Sequence, residues 1–172
     1  MEEIICVDLN DRETGYMQKL QAHKTPVLHR AFSVFLVDET KILIQRRNKN
    51  KYHSGGLLAN SCCSHQRKGE ELSESVSRRL KEELGVSCEV KEVFDFVYFS
   101  TYSEDLYEYE FDHVFVGKYN GKIKFDPDEI EAVFWIEISE LKEMMLKNPE
   151  KFSTWFMICA PRVIKLIENG KI

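Results

Sequence analysis

Three stretches of this chain carry side chains that could do chemistry. The first is Asn60-Ser61-Cys62-Cys63-Ser64-His65, a short polar loop holding two thiols and an imidazole. The second runs on to Gly85. A helix turns about 100° per residue, so Leu72, Val76, Leu80 and Leu84 form one apolar stripe, with Glu83 inside it and Arg79 at its edge. Arg78 and Glu82 point away, toward water. A carboxylate aimed at a core is either paired or holding a metal. An Arg79–Glu83 pair at i,i+4 spacing, worth roughly 0.2–0.5 kcal/mol, is the plain alternative. The third stretch is 107–119, YEYEFDHVFVGKY. Strand side chains alternate faces, so Glu108, Glu110 and Asp112 share one face. Such a row of like charges implies either a solvent-facing edge strand or a cation that neutralises it.

The elements that must hold these groups follow from pattern. Strands are expected over 4–9, over 31–37 with a hairpin partner at 41–45, within 86–101, over 107–119 and over 132–136. Asn120-Gly121 reads as a hairpin turn. Ser139 is expected to cap a helix stopped near Pro149, and Ser153 to open a last one, kinked at Pro161 and closed by Gly170. Residues 13–22 are polar and weakly patterned. His23 and His29 bracket KTPVL, where Pro26 forbids a regular helix, so both are expected on loop or extended chain. Either histidine alone reads as an ordinary solvent or core side chain. The loop NKNKYHSGG, with Arg46, Arg47, Lys49, Lys51 and Lys19 nearby, is a solvated surface or a clamp for a phosphate-bearing ligand. The order of elements implies a mixed α+β fold, layered or sandwiched, in one domain spanning 1–172.

The net charge of −5 argues against a general nucleic-acid binder, although a local basic patch can still hold phosphate. No apolar run approaches the ~18 residues of a membrane span, and MEEIICVDLND is not a secretory signal. Five cysteines, an odd number, imply a reducing cytoplasm and no disulfide framework. Cys62, Cys6, Cys88 and Cys159 read as packing thiols.

The helix region aligns with G-x5-E-x7-R-E-φ-x-E-E-x-G-φ through Ser64, Glu70, Arg78-Arg79-Leu80-Lys81-Glu82-Glu83 and Leu84-Gly85-Val86. It resembles a degenerate Nudix box, with Ser64 for the leading glycine and Arg79 for the first catalytic glutamate. The 60–65 loop is similar to N-S-x-C-x-H, Leu28-His29-Arg30-Ala31-Phe32-Ser33 to L-H-x-A-F-S, Glu108-Tyr109-Glu110 to E-x-E, and Ser153-Thr154-Trp155 to S-x-W. Together, from about Leu9 to Leu166, they resemble the type I isopentenyl-diphosphate isomerases. That resemblance implies a Nudix-type α/β/α sandwich with a mixed sheet. It also implies interconversion of isopentenyl and dimethylallyl diphosphate through a tertiary carbocation, with Cys63 and Glu110 as the acid/base pair, Tyr98 assisting and Trp155 shielding the cation. His23, His29, His65, Glu108 and Glu110 are then the ligands of Mn²⁺ or Mg²⁺, or of Zn²⁺. Glu83 holds a second Mg²⁺, and Lys19, Arg47, Lys51 and Arg79 neutralise the diphosphate. Two departures stand out: His23 and His29 are one residue closer than in the family, and 54–59 lacks its Pro-Gly and tryptophans. The competing readings are a Nudix hydrolase of nucleoside or other diphosphates, resting on Glu82-Glu83, and a non-catalytic binder. The expected partner is a small prenyl diphosphate, with no nucleic acid and no membrane, acting on a monomer or homodimer.

Overall fold

The computed structural model describes residues 2–172. Its elements are β1 (Glu3–Val7), β2 (Glu13–Gln18), α1 (Lys19–Lys24), β3 (His29–Asp38), β4 (Lys41–Arg47), β5 (Leu58–Ala59), β6 (Cys62–His65), α2 (Leu72–Leu84), β7 (Lys91–Ser103), β8 (Leu106–Lys118), β9 (Ile130–Glu137), α3 (Ile138–Lys147) and α4 (Thr154–Glu168). The mixed sheet is built on β3. Parallel β8 runs beside it from His29 to Val37. Its antiparallel partners are β1 at His29, β6 from Ala31 to Val34 and β4 from Leu36 to Asp38.

Alternation along β3 explains the two cores. Phe32, Val34 and Leu36 pack with Val76, Leu80 and Leu84 of α2. Phe35 and Val37 turn the other way, into a core with Leu141 of α3 and Phe156, Ala160 and Val163 of α4. Helices therefore cover both faces of the sheet, as the sandwich expectation requires. β8 is nearly continuously buried and sits between β3 and β7. That removes the edge-strand reading of its carboxylate row.

The apolar stripe of α2 falls where its spacing puts it. Glu74 accepts the backbone N–H of Glu71 at the N-terminus (3.0 Å), which satisfies one orphan donor. Gly85 ends the helix at φ 65°, where an added Cβ would stand 3.0 Å from the Lys124 carbonyl. Arg78 is not simply solvated: its Nε and Nη2 donate to the two oxygens of Glu70 at 2.7 and 2.9 Å, and Ser75 also donates to Glu70. Glu70 thus staples the loop to the helix. Glu70→Ala is expected to lower unfolding stability by about 1–3 kcal/mol in urea titrations, the range for a hydrogen-bonded charged group. Burial opposes ionisation of Glu70, but the Arg78 and Ser75 bonds outweigh it and bring its pKa down to about 2. A depressed carboxyl stabilises fully above its unfolded pKa of about 4.5. The wild type–mutant difference should therefore hold at pH 7 and shrink between pH 4.5 and 2.

Four expectations need correction. His23 lies in α1, not on extended chain, because Pro26 comes after that short helix has ended. Residues 13–18 form β2, paired with β1. Asn120-Gly121 makes no hairpin: the chain instead runs along the end of α2, with Lys124 N–H donating to the Leu84 carbonyl (2.9 Å) and Asp126 N–H to that of Glu83 (2.8 Å). It thereby reaches β9, which pairs with β4. Helix α3 starts at Ile138 after Glu137, so Ser139 lies inside its first turn. Among the described residues, no helix is long and apolar enough to cross a membrane.

Candidate active site

Small residues make the floor. Ala31 and Ser33 share a face of β3 with His29. On one flank, β6 sets His65 opposite Ala31 and Cys63 opposite Ser33. On the other, the parallel register of β8 sets Glu110 beside His29 and Asp112 beside Ala31. A cavity of about 60 Å³ is lined by Cys63, His65, Glu108, Glu110 and Trp155 together with Lys19, Arg47, Lys51, Arg79 and Glu83. Tyr98, His23 and His29 touch the carboxylates that line it. The buried polar pair Asn60 and Ser61 holds β6 in place. Asn60 donates to the carbonyls of Val34 and Cys62 and accepts from Trp155 Nε1 at 2.9 Å. Ser61 Oγ donates to the Leu43 carbonyl and accepts from the Leu36 N–H. The motif thus ties the loop, the central strand and the tryptophan together.

Cys62 faces the α2 core and is fully buried, whereas Cys63 faces the cavity. Burial pushes the Cys63 thiol up to about 12, against the pull of Arg47, whose Nη1 lies 3.6 Å from the sulfur. The thiol is therefore protonated at neutral pH. The Arg47 guanidinium also lies 5.0 Å from the centre of the Trp155 ring.

On the opposite flank, Tyr98 pairs with Glu110 across β7 and β8. Its hydroxyl lies 2.8 Å from Glu108 Oε2 and 2.6 Å from Glu110 Oε2. One hydroxyl proton cannot serve both contacts, so the carboxylates share a further proton. Burial and the Glu110 charge hold Glu108 up. Burial would raise Glu110 too, but the imidazoles of His29 and His65 bring it down. His65 Nε2 stands 2.9 Å from Glu110 Oε1, His29 Nε2 3.5 Å and His23 Nε2 3.9 Å.

The donor set fits a divalent cation. The Nδ1 of His23 meets the Lys19 carbonyl at 2.8 Å and that of His29 meets the Val27 carbonyl at 2.8 Å. A carbonyl only accepts, so these nitrogens carry the hydrogen and the Nε2 lone pairs face inward. His29 Nε2 is buried without a partner. Burial pushes His23 down to about 4 and His65 well below its usual value, so both are neutral at pH 7. His23, His29, His65 and Glu110 each offer a ligand atom, all within 4.8 Å of one another. Glu108, expected in the same set, groups instead with His23 and His53.

Arg79 bonds to Glu83 and lies 3.5 Å from Glu129, and Lys51 pairs with Glu129. Lys19 is held 3.9 Å from Glu2. Glu82 is outside this group, paired with Arg78 and Arg79 on the exposed side.

A family model described as the NUDIX domain matches residues 27–156. The chain is 44% identical over 164 residues to isopentenyl-diphosphate Delta-isomerase 2 of Aromatoleum aromaticum, covering 95% of this chain and 87% of that protein. It is also 44% identical to the isopentenyl-diphosphate Delta-isomerase of Burkholderia multivorans, covering 90% and 89%. The chain belongs to the isopentenyl-diphosphate Delta-isomerases of the NUDIX family. Solved structures share the fold of this isomerase-family member at lower identity. A Deinococcus radiodurans protein superposes with a TM-score of 0.78 at 20% identity, covering 94% of this chain and 98% of that one. A MutT protein of Methanosarcina mazei gives 0.65 at 16%, covering 84% and 95%.

In this isomerase-family chain, residues that sequence reasoning did not single out also line the cavity or bond to the side chains that do. Tyr102 donates to Glu108 Oε2 at 2.6 Å; its alternation with Tyr98 along β7 was the available signal. Asp112 was legible only as the third charge of its row. It accepts from Ser33 Oγ at 2.8 Å, its Oδ1 has no partner, and burial holds it well above the usual carboxyl range. Burial and the neighbouring Glu110 charge thus disfavour its ionisation, so the row resists carrying three charges at once. Glu129, His53, Tyr52 and Gln45 also line the cavity.

Proposed function

We propose that this chain converts isopentenyl diphosphate to dimethylallyl diphosphate, with Cys63 and Glu110 as the proton-transferring pair. The observation that carries the reading is a single cavity that combines a protonated thiol, a carboxylate on the opposite flank of β3, and four cations. A proton added to the terminal alkene carbon leaves positive charge on the tertiary carbon. Loss of a proton from the neighbouring methylene gives the trisubstituted alkene. One proton enters and one leaves, and either order of the two groups balances. Because an alkene is a feeble base, both groups must be positioned on the substrate rather than in solution.

The Trp155 π face would stabilise the cation by roughly 0.5–2 kcal/mol, and substrate filling the cavity would keep water from trapping it as an alcohol. Tyr98, bonded to both carboxylates, would pass and hold the shared proton. Lys19, Arg47, Lys51 and Arg79 would neutralise the diphosphate, with Glu83 holding its Mg²⁺. His23, His29, His65, Glu108 and Glu110 would hold Mn²⁺ or Mg²⁺; Zn²⁺ also suits imidazole ligands. A cation bound there would supply the positive charge that fixes the Glu110 carboxylate and sets its basicity. The free thiols of all five cysteines suit a reducing cytoplasm, and we assign the chain there as a monomer or homodimer.

The test is incubation with isopentenyl diphosphate and Mg²⁺ in heavy water. The expected result is dimethylallyl diphosphate, with deuterium entering both isomers. Absence of conversion, or release of phosphate in its place, overturns the reading.

A further inference from the structure

The loop between β4 and β5 looks from composition like a solvated, basic turn, yet it delivers a histidine into the interior. Ser54 adopts φ 51°, and Gly55 passes so close to Lys49 that an added Cβ would lie 2.5 Å from its carbonyl oxygen. This tight turn lays His53 inward, where it is 8% exposed. Its ring stacks on Tyr102 at 4.7 Å and meets the Trp155 ring edge-on at 6.1 Å. Its Nδ1 lies 3.3 Å from Ser54 Oγ, which leaves Nε2 to face Glu108 Oε1 at 3.1 Å.

We propose that His53 is a sixth protein ligand of the imidazole–carboxylate metal centre, closing its coordination sphere. The inference rests on the metal-centre reading given above. Three observations support it. His53, His23 and Glu108 present ligand atoms within 4.8 Å of one another, and His23 also belongs to the group of His29, His65 and Glu110. The two groups share His23 alone, and His53 is not grouped with His29, His65 or Glu110, so a single ion would have to draw the two groups together as it binds. The second is spacing: neighbouring ligands of a six-coordinate ion with bonds of about 2.1 Å stand about 3 Å apart. The 3.1 Å between His53 and Glu108 and the 2.9 Å between His65 and Glu110 match that edge. The third is chemical. Without His53, the expected set of three imidazoles and two carboxylates leaves one octahedral position for water. With it, the ion is enclosed by protein and serves to hold Glu108 and Glu110 rather than to bind substrate.

The plain alternative is that His53 only donates a hydrogen bond to Glu108. Mn²⁺ titration followed by electron spin echo and water-proton relaxation separates the two. The variants are His53→Phe, which keeps the aromatic stack but offers no lone pair, and His53→Asn, which keeps a hydrogen-bond donor. Circular dichroism and thermal melting of the metal-free proteins establish that each is folded. In the wild type, four coordinated nitrogens and no exchangeable inner-sphere water are expected. His53→Phe should lose one nitrogen, gain one fast-exchanging water and bind Mn²⁺ about 10-fold or more weakly. Should His53→Phe fail to fold, His53→Asn is read for the same lost nitrogen. Three coordinated nitrogens in the wild type, or an unchanged nitrogen count and water number in the folded variants, overturns the proposal even if activity falls. A wild type that binds no Mn²⁺, with His29→Ala indistinguishable from it, overturns the metal-centre reading as well.

Discussion

Cys63→Ala and Glu110→Gln are each expected to fold and to isomerise about 10²–10⁴-fold more slowly than the wild type, the range that one positioned acid or base contributes. Cys63 sits among groups that keep its proton in place. Burial holds its pKa at about 12, and Arg47 is the cation next to it. At pH 7 it is a thiol able to give a proton, and Arg47 would steady the thiolate left behind. Glu110 stands across Ala31 and Ser33, tied to β3 by its register with His29. The effect should fall on kcat, with KM changing little, because neither group belongs to the cation cluster proposed for the diphosphate. A thiol that titrates near 12 also predicts no loss of rate from its ionisation between pH 7 and 9. Initial rates over a substrate range, with metal content measured for Glu110→Gln, decide the matter. A rate within threefold of wild type in either variant rejects that residue's role.

The parts of this site that pattern made legible are those where period and burial coincide. Glu83 lies on the inner stripe of α2, Glu108 and Glu110 share the inner face of β8, and β3 alternates between two cores, all as side-chain geometry requires. The resemblance extended this to His23, His29, His65 and Trp155, whose types alone are ambiguous. What stayed hidden depended on long-range pairing or on short, irregular backbone. The six residues of α1 are too few for a helical period to be seen. His53 lies in a loop whose lysines, asparagines and glycines describe its solvent side only. Glu129 reaches Lys51 and Arg79 because β9 pairs with β4 and the Asn48 N–H bonds to the Glu129 carbonyl at 3.0 Å. No local signal near Glu129 states that pairing. Asn120-Gly121 had sound turn chemistry, but the ends of α2 and β9 offered the segment better partners.

Stripping divalent cations is expected to lower the isomerisation rate about 10²-fold or more, and adding Mn²⁺ or Mg²⁺ to restore it. The reason lies in how the acid/base carboxylate is held without an ion. Glu110 then accepts from His65, and the Tyr98 hydroxyl lies between it and Glu108, so the pair shares a proton that either residue could otherwise deliver. With a cation held there in place of that proton, the inward-facing Nε2 lone pairs of His23 and His29 would be engaged and Glu110 would be free to exchange protons with substrate. His29→Ala should weaken ion binding and need far more metal for the same rate, because His29 Nε2 is buried with no other partner. Binding should also raise thermal stability, by about 2.7 kcal/mol at a free concentration 100 times Kd, and this gain should shrink in His29→Ala. Glu83→Gln provides the contrast: its carboxylate belongs to the diphosphate end, so it should raise the KM for substrate while leaving metal-dependent melting unchanged. Full activity in protein shown by elemental analysis to be metal-free would refute the assignment of His23, His29, His65, Glu108 and Glu110 as one functional centre.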